Sequence, residues 1–572
     1  MKRDSYLVGK AFKGFLLASV LTVSASQMGA FIDGLMLTWF INDKAMSAVN
    51  ISSPVLQLYF SLCLLLGVGG TLLAGKAIGH HDRDKASRIF SLSVTASVIT
   101  GLILGTAGLI FFTPLLDMLC PDAALSGYAG DYLGIITASA PVYMLMTVLQ
   151  FFVSLDGEPR RVTAAVGVCI AVNLILDYLF IAILGLGISG AAIATVISYL
   201  PAIAILCMHF RRKGTLRFTL HTGVRGLTSI AGNGAPSGFT AMLMAVQIFA
   251  CNIIAIRYLG TSGVIVLAVC MYLLRLSMII LTGAIDSFQP VASILSGSED
   301  HRGVAMVLRK AYTFMFVSLT VYAALMILFP TVIAAIFGIT DSATAEMARS
   351  AIPAFAVNIV LQCAVGLLIP VYQIYSNRAM AMTVSIGQPV LPMVFFGLMA
   401  AADCGAWWGF AIGQAALVVI LVPMALMKRG RHIPFLLIPR ENSDNIYDTS
   451  IRPVMHEIGE RLVEADEWLQ RCGTDRALRF NIGVACEEIL KNIADHAHDI
   501  RTGVRSIDLR ISTIGDSVRV IIHDAGHPFN PVDEDPHTGL GLQIVKGVCD
   551  NVKYEYMFHQ NILTMTWSVP KQ

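Results

Sequence analysis

Charge is scarce in this sequence. Asp, Glu, Lys and Arg make up 14% of its 572 residues, where a soluble globular chain carries about 25%. That shortfall excludes a single water-soluble domain, because too few polar side chains remain to cover a surface. The mean hydropathy of +0.70 points to long apolar runs instead. Paired cysteines are missing as well. The eleven cysteines stand singly, with no C-x-x-C, many of them inside apolar runs. The pattern offers neither a secreted disulfide framework nor a zinc centre, and the thiols read as reduced packing residues. The net charge of +2 says little, but its distribution says more. Charges are sparse up to Met427 and dense from Lys428 onward, which divides the chain into a part for lipid and a part for water.

The start, "MKRDSYLVGKAFKGFLLASVLTVSASQMGA", has the basic residues, apolar stretch and small residues of a signal peptide. The apolar run continues through "FIDGLMLTWF", which a removable segment does not need, so it is expected to be retained. Twelve apolar spans follow: about 13–39, 46–75, 89–116, 129–153, 162–184, 188–209, 229–257, 263–295, 307–337, 345–373, 379–401 and 407–427. Most meet the roughly 20 residues that a membrane-crossing helix needs. One set of connections holds Lys76, Arg83, Lys85, Arg88, Arg160, Arg161, Arg211, Arg212, Lys213, Arg217, Arg225, Arg302, Arg309, Lys310 and Arg378. The other holds Lys44, Arg257 and Arg349. The cation-rich set is expected to be cytoplasmic, which puts both termini of a multi-pass inner-membrane protein in the cytoplasm.

A weak internal repeat runs through the apolar part. "GHHDRDKA" from Gly79 follows the second span and "GSEDHRGV" from Gly297 follows the eighth. "GISGAAIA" from Gly187 and "GAWWGFAI" from Gly405 open the sixth and twelfth at the same offset. Two six-helix halves in parallel orientation are a transporter plan, with substrate held between the halves.

Asp33, Asp177 and Asp286 fall inside apolar spans. A carboxylate at the bilayer centre costs about 2.5–3.5 kcal/mol even on a lenient scale, so such residues face a cavity or a partner, or sit nearer an interface. Asn173 and Asp177 are four apart and point the same way on one helix. With Thr195 on the next span and Asp33 they would make an oxygen-rich site for H⁺ or Na⁺. Asp286 has Arg275 three helical turns before it on the same face, which suggests a structural ion pair or a polar site in the second half.

"NLILDYLFIAILGLGISGAAIATVIS" resembles the fifth-to-sixth-helix signature of MATE-family efflux transporters. "IDGLMLTWFINDKAMSAVN" and "GVGGTLLAGKAIGHHDRDKA" are similar to that family's first helix and second-to-third connection. The resemblance covers about residues 10–427. In the DinF-like branch it implies a cation site made by an acid on the first helix, an Asn and an Asp on the fifth and a Thr on the sixth. Asp33, Asn173, Asp177 and Thr195 match these positions. "GAIDSFQPVASILSGS" departs from the family by carrying an acid in the eighth helix. "GGTLLAGKA" has Walker A spacing at Gly70, Gly75 and Lys76. Ala77 stands where Ser or Thr would hold Mg²⁺, and no strand precedes it, so it is read as chance.

From about Ile451 the pattern changes to helix, helix and then strands. "RSIDLRISTIGDSVRVIIHDAG" alternates around a turn, and "VKYEYMFHQNILTMTWSVP" reads as a closing hairpin. An α+β domain with helices on one face of a sheet is expected. Glu488 and Asn492 share a helix face in "VACEEILKNIADHAH". "DAGHPFNP" and "TGLGLQIVKGVCD" come after. These resemble, in order, the N, G1 and G2 boxes of the GHKL ATPase fold, nearest to its anti-sigma-factor serine-kinase branch. The resemblance implies ATP and Mg²⁺ as ligands. Asn492 would hold Mg²⁺ and Glu488 would polarise an attacking group. Asp524 would accept the adenine amino proton, Gly526 would let the backbone approach the base, and Gly539 and Gly541 would free amides for phosphate. His537 and Thr538 stand where kinases of this branch often carry Arg. His456 lies too close to Glu488 for a dimerisation hairpin between them, so a phosphoacceptor role is not expected.

The fold class expected is thus a polytopic α-helical membrane protein of two six-helix halves with a C-terminal α+β GHKL domain. Residues 1–432 form the transporter part, its lobes about 1–215 and 216–432; 433–450 are a linker and 451–572 the ATP-binding domain. The leading function is an H⁺- or Na⁺-coupled exporter of small, drug-like or organic-cation molecules, with a nucleotide-binding regulatory or kinase-like domain. A membrane-tethered anti-sigma or serine-kinase-like switch is the alternative of a different class, and a lipid-precursor flippase is a third. The partners expected are the lipid bilayer, a small-molecule substrate and a soluble regulatory protein; no nucleic acid is expected.

Overall fold

The computed structural model describes residues 3–4, 6–120, 123–212, 215–219, 226–339, 341–427, 436–441, 443–496, 506–514, 516–528, 530 and 540–569. Lys213, Arg225, His537, Thr538, Gly539 and part of the expected linker lie outside them. The chain forms two compact units. The larger holds Phe15–Asp300 and Val307–Pro439; the smaller holds Met1–Gly14, His301–Met306 and Arg440–Gln572.

The elements described in the larger unit are helices. Its first half comprises α1 (Tyr6–Phe40, whose opening turns belong to the smaller unit), α2 (Asp43–Gly79), α3 (Arg83–Ile110), α4 (Phe112–Leu119), α5 (Ala123–Ala138), α6 (Ala140–Leu155), α7 (Pro159–Asp177) and α8 (Gly187–Arg212). The second half comprises α9 (Leu227–Gly297), α10 (His301–Leu328), α11 (Pro330–Ile336), α12 (Ser342–Gly366), α13 (Leu368–Ile374), α14 (Arg378–Ala401) and α15 (Gly409–Met427). Ten helical segments among the described residues are long and apolar enough to cross a membrane, and α5 with α6 makes an eleventh, bent by 56°. The 71-residue α9 breaks at Gly260, whose φ of 70° is open to glycine, so its two parts serve as the seventh and eighth spans.

The packing of α3 shows which solvent these helices meet. Ser87, Ser91, Ser93, Ser97, Gly101 and Gly105 are buried, while Ile99, Leu102, Ile103, Leu109 and Ile110 are exposed. A soluble helix turns its apolar stripe inward. Here small residues face inward and let backbones approach, and large apolar ones face outward, as lipid requires. The repeat seen in the sequence recurs as geometry. His81 and Glu299 both have positive φ, and each opens a turn in which the next residue's N–H reaches back five residues, Asp82 to Ala77 and Asp300 to Leu295.

The halves meet where α2 runs along α9. A Cβ on Gly69 would collide with the Ile230 carbonyl oxygen. Those on Gly234, Gly79 and Gly297 would strike Leu65, Ile294 and Lys76 backbone. These glycines are required by close approach rather than by turns.

The smaller unit is an α+β layer. β1 (Ile446–Ile451), β2 (Ile507–Ile514), β3 (Ser517–Asp524), β4 (Asn551–Met557) and β5 (Gln560–Ser568) form one antiparallel sheet in the order β1-β2-β3-β5-β4. Strand alternation sends Ile507, Leu509, Ile511, Val518, Val520 and Ile522 to one face. There they meet Ile458, Ala465 and Leu469 of α16 (Met455–Arg471), Ile482, Ala485 and Ile489 of α17 (Arg476–His496) and Val545 of α18 (Leu540–Val548) in one core.

Candidate functional site

In the first half of the helical unit the chain brings two carboxyl groups together. Asp33 lies late in α1 and Asp177 ends α7. Their side chains lie within hydrogen-bonding reach of each other. Asp177 is 2% exposed, and its Oδ2 accepts a 3.2 Å hydrogen bond from Asn173 Nδ2, as the four-residue spacing implies. Asp177 Oδ1 is buried and meets no amide or hydroxyl donor. The residues after Asp177 wind as a π-helix, Tyr178–Ile183. π-turns of this kind gather at functional sites. Thr195 on α8 is half-buried, and its hydroxyl donates 3.0 Å back to the Ala191 carbonyl of its own helix, not to either carboxyl. Its oxygen keeps acceptor capacity.

Tyrosines that the sequence did not single out surround this pair. Tyr132 on α5 is buried close to both Asp33 and Asp177, and Tyr199 on α8 lies near Tyr132, Cys169 and Asp33. Tyr199 continues to Tyr143 at 5.9 Å between ring centroids, and Tyr143 to Tyr59 at 6.5 Å. One signal could have found Tyr132: a hydroxyl-bearing aromatic at the start of an apolar run asks for a polar neighbour.

Asp286 lies elsewhere. With Ser19, Thr22, Thr71, Gln150 and Gln289 it lines a cavity of about 90 Å³ where α1, α2, α6, α7 and α9 meet. Arg275 is exposed and forms no ion pair with it. Three helical turns share a face but separate the two by about 16 Å at 1.5 Å per residue, too far for contact. The ion pair expected from the spacing is therefore replaced by a carboxyl facing a polar cavity.

In the smaller unit Glu488 and Asn492 lie half-buried on one face of α17. Asp524 ends β3 in the same alternation as Val518, Val520 and Ile522, so it points to the helix-covered face. It is 5% exposed, and its Oδ1 accepts from Gly526 N at 2.7 Å and from Asn561 Nδ2 at 2.9 Å. Asn561 sits opposite Asp524 on β5, and its own Oδ1 is held by the Tyr554 hydroxyl at 2.7 Å. Burial pushes the Asp524 carboxyl above the usual carboxylate range, against the pull of Asn561, the Gly526 amide and Lys10. Gly541 lies in the first turn of α18, and Gly539 falls outside the described residues. Asn561 went unrecognised in the sequence because only strand pairing puts it beside Asp524. No group of three or more His, Cys, Asp or Glu among the described residues forms a metal cage, but Mg²⁺ carried on phosphates takes most of its ligands from water and the phosphates themselves.

Membrane-length helices packed around a carboxyl pair, Asp177 buried and Asp33 half-buried, and then a sheet with an Asp at the end of its third strand, define a two-part protein. The chain carries a MATE domain, matched as MatE over residues 18–179, and a histidine kinase-like ATPase domain, matched over residues 457–567. It is similar to the multidrug export protein MepA of Staphylococcus haemolyticus, 28% identical over 41% of this chain and 52% of that one. The MepA of Staphylococcus saprophyticus is 25% identical over 44% and 56%. The chain thus spans about half the length of these curated relatives. Among solved structures, a MOP superfamily transporter from Pyrococcus furiosus superposes with a TM-score of 0.66 at 21% identity, covering 73% of this chain and 97% of that one. An outward-facing multidrug resistance MATE family transporter gives 0.64 at 20% identity over the same shares. These likenesses establish the fold of the helical part.

Proposed function

We propose that this protein is a secondary exporter of small organic molecules in the inner membrane, driven by H⁺ or Na⁺, with a cytoplasmic domain that binds Mg-ATP and regulates it. The observation that carries the first part is the Asp33–Asp177 carboxyl pair. Two carboxylates this close repel unless a proton or a cation lies between them. Burial among helices makes that occupancy costly to change and so able to do work. Asn173 donates to Asp177 and Tyr132 brings a hydroxyl-bearing ring near both carboxyls; Thr195 would add a further oxygen. The cation-rich connections orient the ATPase domain towards the cytoplasm, where nucleotide is. The MepA relatives support a multidrug class of cargo.

In the second part, the chain's own residues fit an adenine nucleotide. Asp524 offers an oriented acceptor for an amino group, Gly526 leaves its backbone approachable, and α18 presents a helix N-terminus for phosphate. Asn492 would hold the Mg²⁺ that screens the phosphates, and Glu488 would serve as the base if the nucleotide turns over. The test is export from vesicles under an imposed pH or Na⁺ gradient without nucleotide, paired with calorimetry of Mg-ATP binding to the full chain. Gradient-driven movement that Asp33→Asn abolishes supports the coupling assignment. An absolute need for ATP with no response to either gradient overturns it. For the nucleotide site, Asn492→Ala is expected to lose Mg-ATP binding, while Glu488→Gln binds without turnover.

A further inference from the structure

The ATP-binding sheet has a second face, and it is not left to water. Strand alternation that buries Leu509 under the helices turns Asp508 and Arg510 the other way, and Asp448 of β1 faces them across the register. These three charged residues are 1%, 6% and 7% exposed. Their partners come from the far end of the chain and from the first turn of α10. Arg3 Nε donates to Asp508 Oδ2 at 2.7 Å, and Arg3 Nη1 stands 3.9 Å from Asp448. The Asp4 N–H donates to Ser450 Oγ at 2.9 Å, and Ser450 Oγ to Asp508 Oδ1 at 2.6 Å. Arg302 Nη1 lies 3.4 Å from Asp448, and the Arg302 N–H donates to Glu441, which also pairs with Arg510 at 2.9 Å. Burial pushes the Asp508 carboxyl up, and the Arg3 guanidinium holds it back. Three guanidinium groups and three carboxyls thus balance in a space where an unpaired charge is strongly penalised.

The segment that begins at Arg3 then reaches the nucleotide end of the sheet. Leu7 is fully buried, and its carbonyl accepts a 2.7 Å hydrogen bond from Gln560 Nε2, the first residue of β5. The next residue, Asn561, is the one that orients Asp524. Adjacent strand residues face opposite sides. Gln560 and Asn561 therefore grip α1 on one side of the sheet and the adenine-recognition carboxyl on the other. Lys10, one helical turn after Leu7, lies close enough to act on Asp524 through its charge. α1 itself is continuous from Tyr6 to Phe40 and carries Asp33.

We propose that this contact is a nucleotide-responsive latch: an adenine nucleotide held at Asp524 tightens the start of β5, and Gln560 passes that tightening to the opening turns of α1. The buried charge cluster around Arg3 sets the register of the segment so that Leu7 meets Gln560. Buried ion pairs are best attested in this register-fixing role. The latch rests on nucleotide binding by the C-terminal domain and adds to it the element through which the domain regulates the transporter.

The experiment uses the full chain in lipid nanodiscs, with Mg²⁺ and a non-hydrolysable ATP analogue as the probe. Calorimetry measures binding, and hydrogen–deuterium exchange follows the amides of residues 6–14. Wild-type protein is expected to bind and to exchange several-fold more slowly over residues 6–14 with nucleotide present. Gln560→Ala is expected still to bind, with affinity weakened by no more than the same several-fold factor that linkage requires, and to show no such slowing. Arg3→Ala is expected to exchange fast in both states while still binding, an independent reading should Gln560→Ala fold poorly. Binding without any change over residues 6–14 in the wild type overturns the latch and leaves nucleotide binding standing. A full response in Gln560→Ala overturns the relay through that side chain. No binding by the wild type removes both readings.

Discussion

Asp177 ends an α-helix and begins a π-helix, and the carboxyl it presents there meets Asp33 from another helix. An amide at either position keeps the shape and can still hydrogen-bond to the remaining carboxyl, but it cannot release a proton or neutralise a cation. Asp33→Asn and Asp177→Asn are therefore each expected to insert normally and to lose gradient-driven export in vesicles; full transport by both variants would remove the site assignment. Asp524 makes a second prediction. An ionised carboxyl accepts from the adenine amino group, and a protonated one presents a donor to a donor. Burial raises this carboxyl above its ordinary 3.8, so affinity for Mg-ATP is expected to fall as pH drops through that raised value, sooner than an exposed Asp would cause. Asp524→Asn is expected to cost about 1.5–3 kcal/mol, near ten- to a hundredfold in Kd, and to flatten the pH dependence. Calorimetry across pH, with GTP as comparison, checks both; guanine offers a carbonyl where adenine offers an amine, and wild-type protein is expected to prefer ATP.

At the level of elements, the long seam between α2 and α9 is held by glycines that meet backbone. Gly234→Ala would press a methyl against the Leu65 carbonyl. Neither helix can yield without moving the other, so a loss of about 1–3 kcal/mol is expected. Gly167 in α7 has nothing within 4 Å of its Cβ position. Gly167→Ala is therefore expected to be neutral or to stabilise by about 0.5–1 kcal/mol, since Ala is the better helix former. Thermal unfolding of the two variants in one lipid system checks the contrast, and equal effects would show that the seam is not under close contact. Helix ends within the first half were largely legible. The junctions the sequence placed near residues 79 and 297 carry the same positive-φ turn. The bend between α5 and α6 and the π-helix after Asp177 were not, because a local winding change leaves hydropathy untouched and is decided by what the neighbouring helices press against.

Across the whole molecule, a MATE domain and a histidine kinase-like ATPase domain share one chain. If the first is driven by ions, vesicles loaded with an organic cation and given a pH or Na⁺ gradient are expected to export it without nucleotide. Mg-ATP would then change the rate rather than permit it. A rate set to zero by nucleotide removal would make the second domain the motor instead.

The division into a lipid part and a water part was written in the sequence, because hydropathy is additive along a chain and needs no partner to be read. So were Asn173 beside Asp177 and Glu488 beside Asn492, since four residues is one helical turn whatever surrounds it. Arg275 and Asp286 mark the limit of that rule: a shared face three turns long is not a contact. Only tertiary structure brought Asp33 to Asp177, set Asn561 opposite Asp524, and buried Arg3 against Asp508. Each of these joins residues far apart in sequence. Helix packing and strand register choose such partners, and both depend on the shapes of whole elements rather than on any stretch of sequence read alone.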